Sequence, residues 1–131
     1  MRRATPFPLG LLLAAAAAQT AAVGEPIRGE QVYACCVACH ALAYDRTGPR
    51  HCGLFGRRAG TVPGYEYSEA MRRSGIVWTA AALDRFLAAP TKVVPGTTMG
   101  CAGVSDPAER AALIEWLRAA SEDGKTCRKN R

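Results

Sequence analysis

Residues 35–40 read Cys-Cys-Val-Ala-Cys-His, and within them Cys36, Cys39 and His40 form one C-x-x-C-H run. This run constrains the chain more than any other feature. Two thiols separated by two residues lie on about one helical turn, so both can reach the two vinyl groups on one edge of a haem while the neighbouring imidazole points at the iron. The pattern is that of c-type haem attachment. Cys35 is one position out of register with Cys39 and is left as a spare thiol. A thiol redox pair would need a strand-helix-strand setting, which the flanking residues lack. A zinc site would need a second Cys or His pair at short spacing, and none follows. A plain disulfide across the pair would leave His40 without a role.

A covalent haem needs a second axial ligand if the chain carries electrons and does not catalyse a reaction. Methionine and histidine are the usual partners, and a thioether raises the reduction potential relative to a second imidazole. Beyond the N-terminal segment the candidates are Met71, Met99 and His51. Met99 follows Val94-Pro95-Gly96-Thr97-Thr98, a Pro-Gly turn that would hold a loop in fixed shape around the sulfur, and it is the favoured ligand. Met71 lies in a short helical stretch between Ser68 and Arg73, where a thioether more often simply packs. His51 would have to reach round the ring from eleven residues beyond His40, and reads instead as a surface or partly packed histidine.

The N-terminus has the order of a secretory signal peptide: Arg2 and Arg3, the apolar run Leu9–Ala18, then small residues. Cleavage after Ala22 suits the peptidase's preference for small residues, and Ala18 offers a second position. The apolar run is shorter than the roughly 20 residues that cross a bilayer, which argues against an anchor. The organisation expected is a signal peptide over 1–22, one domain over 23–124 and a basic tail over 125–131, with the protein exported to the periplasm. Removing residues 1–22 lowers the formal net charge from +6 to +4. Four of the remaining cations, Lys125, Arg128, Lys129 and Arg131, crowd the tail. The body is therefore near neutral, and a terminal cluster of this kind reads as solvated chain and not as a nucleic-acid surface.

The rest of the sequence fits a small helical shell. Gly29–Ala34 offers a first helix with Val32 and Tyr33 inward, running straight into the attachment turn. Thr79 can cap a helix whose Leu83, Phe86 and Leu87 share a face before Pro90 breaks it. The last helix has Asp106 as N-cap, Pro107 as first residue and Glu109 completing a capping-box pattern. Leu113, Trp116, Leu117 and Ala120 fall on its inner face, and Gly124 provides a stop. Glycines and prolines from Gly48-Pro49 to Gly75 mark loops. No alternating strand is evident.

These residues resemble the class I cytochromes c, in the branch of mitochondrial cytochrome c and bacterial cytochrome c2. The likeness runs through Gly29-x-x-Val32-Tyr33, Cys36-x-x-Cys39-His40, Thr47-Gly48-Pro49, Gly53-Leu54-Phe55-Gly56-Arg57, Pro63-Gly64-Tyr65-x-Tyr67, Gly75-Ile76-x-Trp78, Pro95-Gly96-Thr97-x-Met99 and Ala102-Gly103, and ends on Leu113–Leu117. It implies an all-α fold of short helices and loops wrapped around one haem c, bound covalently through Cys36 and Cys39. It implies His40 and Met99 as axial ligands, with the Pro49 carbonyl accepting from the imidazole. Arg57, Tyr67 and Trp78 match positions that hold the haem propionates, and Thr97 the position beside them on the Met loop. Gly29 and Tyr33 match the crossing of the first helix with Leu113 and Trp116 of the last. The implied function is a monomeric one-electron carrier, not an enzyme, serving a cytochrome bc1-type complex, a terminal oxidase or a photosynthetic reaction centre. The alternatives are a haem c peroxidase-like enzyme and the electron-transfer subunit of a dehydrogenase.

The departures from the family are specific. Phe86 stands where many members place a tyrosine whose hydroxyl bonds the Met sulfur. The loop from His40 to Thr47 is shorter than in mitochondrial members, and Cys101 replaces an aromatic residue near the haem edge. The family fold would place Cys35 near Cys101 and bring the tail toward Cys52, which leads to Cys35–Cys101 and Cys52–Cys127 as expected disulfides. Cys35, Thr91, Ser105 and Asp106 occupy several places where members carry docking lysines. Lys92 and Arg46 remain, and a weak dependence of partner association on salt is expected.

Overall fold

A computed structural model describes residues 25–128; the expected signal peptide and the last three residues lie outside that range. Among the described residues five helices follow one another: α1 (Glu25–Tyr33), α2 (Glu69–Arg73), α3 (Ala80–Ala88), α4 (Pro90–Val93) and α5 (Pro107–Glu122). Among the described residues there is no strand, only an isolated antiparallel bridge between Arg58 and Val77. The all-α expectation is met. No described helix is long and apolar enough to cross a membrane.

Local chemistry sets the helix starts. Asp106 accepts the N–H groups of Ala108 (2.7 Å) and Glu109 (3.1 Å), with Pro107 at the first helical position. Among the recorded hydrogen bonds Glu109 does not return one to the cap, so one half of the capping box forms. Thr79 caps α3 through the Ala82 N–H (3.1 Å), and Ser68 caps α2 through that of Met71 (3.2 Å). Pro90, expected only to break α3, also begins α4, because a first-turn position needs no N–H donor. α1 starts four residues earlier than expected. The last helix stops at Glu122, where Asp123 accepts from Lys125 and Thr126 and turns the chain before Gly124.

α1 is too short to persist alone, and it lies across α5. Gly29 makes that crossing possible: a Cβ there would sit 2.4 Å from the Ala112 carbonyl oxygen and 2.5 Å from Trp116 Cβ. Beside the crossing, the Tyr33 and Trp116 rings pack with centroids 4.4 Å apart. α3 packs on α5 as well, tied by Arg110 to Asp84 at 2.7 Å. Leu113, fully buried, together with Ile114 and Leu117 of α5, meets Leu83, Phe86 and Leu87 of α3 in one core that also takes in Leu54, Met71, Trp78 and Val94.

One expected disulfide forms and the other does not. Cys52 and Cys127 are bonded, with Cα atoms 5.4 Å apart and a sequence separation of 75. The start of the basic tail is thereby tied back against the loop after His40. Cys35 and Cys101 are free and exposed. Each sulfur is satisfied locally instead: Cys35 Sγ donates to the Val32 carbonyl (2.8 Å), and Cys101 Sγ accepts the Gly103 N–H (3.3 Å).

Candidate functional site

Helical turns continue past α1 through the cysteine run. Cys36 N–H donates to the Tyr33 carbonyl (2.8 Å) and His40 N–H to that of Cys36 (2.9 Å). Cys36, Cys39 and His40 are thereby presented to one cavity. His40 Nδ1 donates to the Pro49 carbonyl oxygen at 2.8 Å, which leaves Nε2 as the ring's lone-pair nitrogen. Burial holds the imidazole below its ordinary pKa, partly offset by the Pro49 bond; a neutral ring is what metal ligation requires. Gly48 lies against this ring so closely that a Cβ would fall 2.3 Å from His40 Cε1. Burial, then the neighbouring Cys35, pushes the Cys36 thiol up to about 12.

Across the cavity, the Thr97 N–H donates to the Val94 carbonyl (3.0 Å), and the Met99 N–H to Thr97 Oγ1 (3.2 Å). These bonds shape the loop that presents Met99, while Gly96 supplies the left-handed turn at φ +89°. Met71 is buried in α2 among core side chains, as its helical setting implied, and forms part of the wall of the same cavity. At a third edge, Arg57 donates through its two terminal nitrogens to the carbonyls of Cys52 (2.9 Å) and Arg50 (3.1 Å). Its Nε is buried without a partner. Tyr67, whose hydroxyl accepts the Val62 N–H at 3.4 Å, and buried Trp78 line the same edge.

All eight residues singled out in the sequence, Cys36, Cys39, His40, Arg57, Tyr67, Trp78, Thr97 and Met99, line this single cavity of about 450 Å³. Its walls are Leu54, Met71, Leu83, Phe86, Leu87 and Leu113. An apolar slot with two thiols at one edge, an imidazole and a thioether in its lining, and an orphaned guanidinium N–H at a polar edge fits a flat, apolar, dianionic group such as haem.

No family model matches the chain. Cytochrome c2 of Rhodomicrobium vannielii is 42% identical over 99 residues, covering 73% of this chain and 79% of that protein. Cytochrome c2 of Blastochloris viridis is 38% identical over 118 residues, covering 88% and 93%. Among solved structures, cytochrome cH from Methylobacterium extorquens superposes with a TM-score of 0.70 at 39% identity, over 73% of this chain and 99% of that one. The chain belongs to the class I c-type cytochromes. As a cytochrome c it carries covalent haem c and transfers electrons; it is not an enzyme.

His51, read from the sequence as a surface or partly packed histidine, is half-buried, and what the sequence did not disclose is its neighbour. This cytochrome turns that ring inward to stack on His40, with centroids 4.4 Å apart and planes 22° from parallel. His51 Nδ1 shares a 3.2 Å hydrogen bond with the Tyr33 hydroxyl. Burial first, then His40 and Arg57, drives the His51 pKa down to about 3, so the ring is neutral and shares this bond with the phenol as donor or acceptor according to its tautomer. The one available signal was Tyr33 itself: a phenol on the inner face of a helix needs a buried partner.

Proposed function

We propose that this cytochrome c is a periplasmic, monomeric electron shuttle whose haem is joined to Cys36 and Cys39 and ligated by His40 Nε2 and Met99 Sδ. The observation that carries the reading is the Nδ1 bond from His40 to Pro49, which leaves Nε2 free to ligate while Met99 lines the same cavity from its own loop. Bound haem supplies a one-electron Fe(III)/Fe(II) couple.

The protein's own residues do the rest. The Pro49 carbonyl fixes the tautomer and rotation of the His40 ring and raises its basicity. Arg57 Nε–H, otherwise orphaned, would donate to a haem propionate, and Tyr67 and Trp78 would hold the same group from the cavity lining. Thr97 holds the backbone of Met99 so that the sulfur keeps its position in both oxidation states. The apolar walls exclude water, which limits the reorganisation that accompanies each electron. Export rests on the segment before residue 23, and a bc1-type complex, a terminal oxidase and a photosynthetic reaction centre are the fitting partners.

The oxidised holoprotein should be low-spin and show the weak charge-transfer band that a methionine sulfur gives ferric haem. Met99→Ala should abolish the band and lower the potential, whereas Met71→Ala should keep it and lose only stability. A band that survives in Met99→Ala would sink the ligand assignment.

A further inference from the structure

Three parts of the chain converge on His51, a residue that the family likeness does not use. Its backbone N–H is shared between the Ala41 (3.2 Å) and Leu42 (3.1 Å) carbonyls. The next residue, Cys52, is bonded to Cys127, and Gly53 N–H donates to the Ser121 carbonyl at the end of α5 (3.0 Å). The side chain is held by the hydroxyl of Tyr33, whose own ring is pinned on Trp116. What this scaffold delivers is a neutral imidazole laid nearly parallel on the face of His40.

We infer that His51, oriented by Tyr33, is a positioning residue that fixes the rotation of the axial His40 ring and biases the couple toward the oxidised state. The inference rests on His40 being the axial ligand. Two physical steps support it. The Pro49 bond grips one edge of the His40 ring and allows libration about that contact; a second ring stacked on its face removes that freedom. An aromatic face is also electron-rich and attracts positive charge. In the oxidised state the iron draws density from His40, and a stacked ring stabilises the added charge better than an aliphatic side chain of similar size. Tyr33 holds the His51 ring in place through its bond with Nδ1, so it acts one step further out.

The experiment compares holoproteins carrying His51→Leu, His51→Phe, Tyr33→Phe and the Tyr33→Phe/His51→Leu pair, by midpoint potential and by the paramagnetic NMR shifts of the His40 ring protons. In His51→Leu the ratio of reduced to oxidised protein at a fixed applied potential should rise about threefold, or roughly 28 mV at 59 mV per tenfold for one electron, and the His40 shifts should move. His51→Phe keeps a stacked ring and should restore most of both readouts. Tyr33→Phe should give a smaller change of the same sign, and no further change once His51 is leucine. If His51→Leu leaves potential and shifts at their wild-type values, or if Tyr33→Phe acts equally in both backgrounds, the inference is wrong. The His40 ring protons of the oxidised wild type are recorded first: if they lack the large paramagnetic shifts of an iron ligand, the ligation itself is overturned, a failure separable from shifted His40 resonances with an unmoved potential. Should His51→Leu not fold, the Tyr33→Phe shift decides alone, and its absence overturns the inference.

Discussion

Phe86 is buried in α3, 5.1 Å from the Trp78 ring between centroids, and lines the same cavity as Met99. A phenol there would aim a hydroxyl at the region of the sulfur, and a bond to sulfur withdraws density that otherwise favours the oxidised iron. Phe86→Tyr is therefore expected to raise the potential modestly. Voltammetry that finds no change, or a fall, would contradict this. At this scale the sequence was uneven in what it disclosed. Chemistry that needs a fixed local order, as in Cys36, Cys39 and His40, or Met99 after a Pro-Gly turn, could be read directly. His51 could not, because its role is created by Tyr33 and His40 meeting it in space, and nothing in the residues around His51 encodes that meeting.

Among the elements, the crossing of α1 and α5 depends on the absence of one side chain. Gly29 weakens α1 intrinsically by about 1 kcal/mol relative to alanine, yet alanine would drive its methyl into the Ala112 carbonyl. Gly29→Ala is expected to destabilise the holoprotein by about 2 kcal/mol, the scale of overpacking, as a lower denaturant midpoint; a gain in stability would show that helix propensity wins. At the start of α5, the N–H groups of Glu109 and then Ala108 hold the Asp106 carboxyl below its ordinary pKa. Because the folded value lies below the unfolded one, the cap's contribution is full above the ordinary aspartate range and is lost as pH falls through the lowered value. Asp106→Asn should remove that part of the acid sensitivity. Parallel stability curves of the two proteins between neutral and acid pH would refute it. The starts of α3 and α5 were legible because their caps, Thr79 and Asp106, are local chemistry, whereas the start of α1 was read four residues late. α4 was not, since Pro90 means both an end and a beginning.

At the scale of the whole molecule, the Cys52–Cys127 bond closes a span of 75 residues, and replacing both cysteines by serine should cost about 2–4 kcal/mol, measured by denaturant unfolding of the holoprotein. An unchanged midpoint would mean that the haem and core already restrain that span. Exposed Val37, at 45%, and exposed Cys35, Cys101 and Thr91 flank the cysteine run and the Met loop, where Lys92 of α4 and Arg46, which donates to the Val37 carbonyl, are the two cations expected from the sequence. Electron transfer with a purified partner should accordingly slow only slightly between low and moderate ionic strength; a steep fall would contradict a near-neutral rim. The family fold was legible because motif order and spacing extend from Gly29 to Leu117. The failed Cys35–Cys101 pairing marks the limit of that reading, since nearness along a rim does not supply the short Cα separation that a bond demands.

The same disulfide sets a second redox requirement. Cys52 and Cys127 lie 75 positions apart and are brought together by the fold, whereas Cys36 and Cys39 are three positions apart and need no fold to meet. Attachment of haem to Cys36 and Cys39 needs that pair as free thiols while the Cys52–Cys127 pair is oxidised, so a sample bridged between Cys36 and Cys39 should lack the haem absorption.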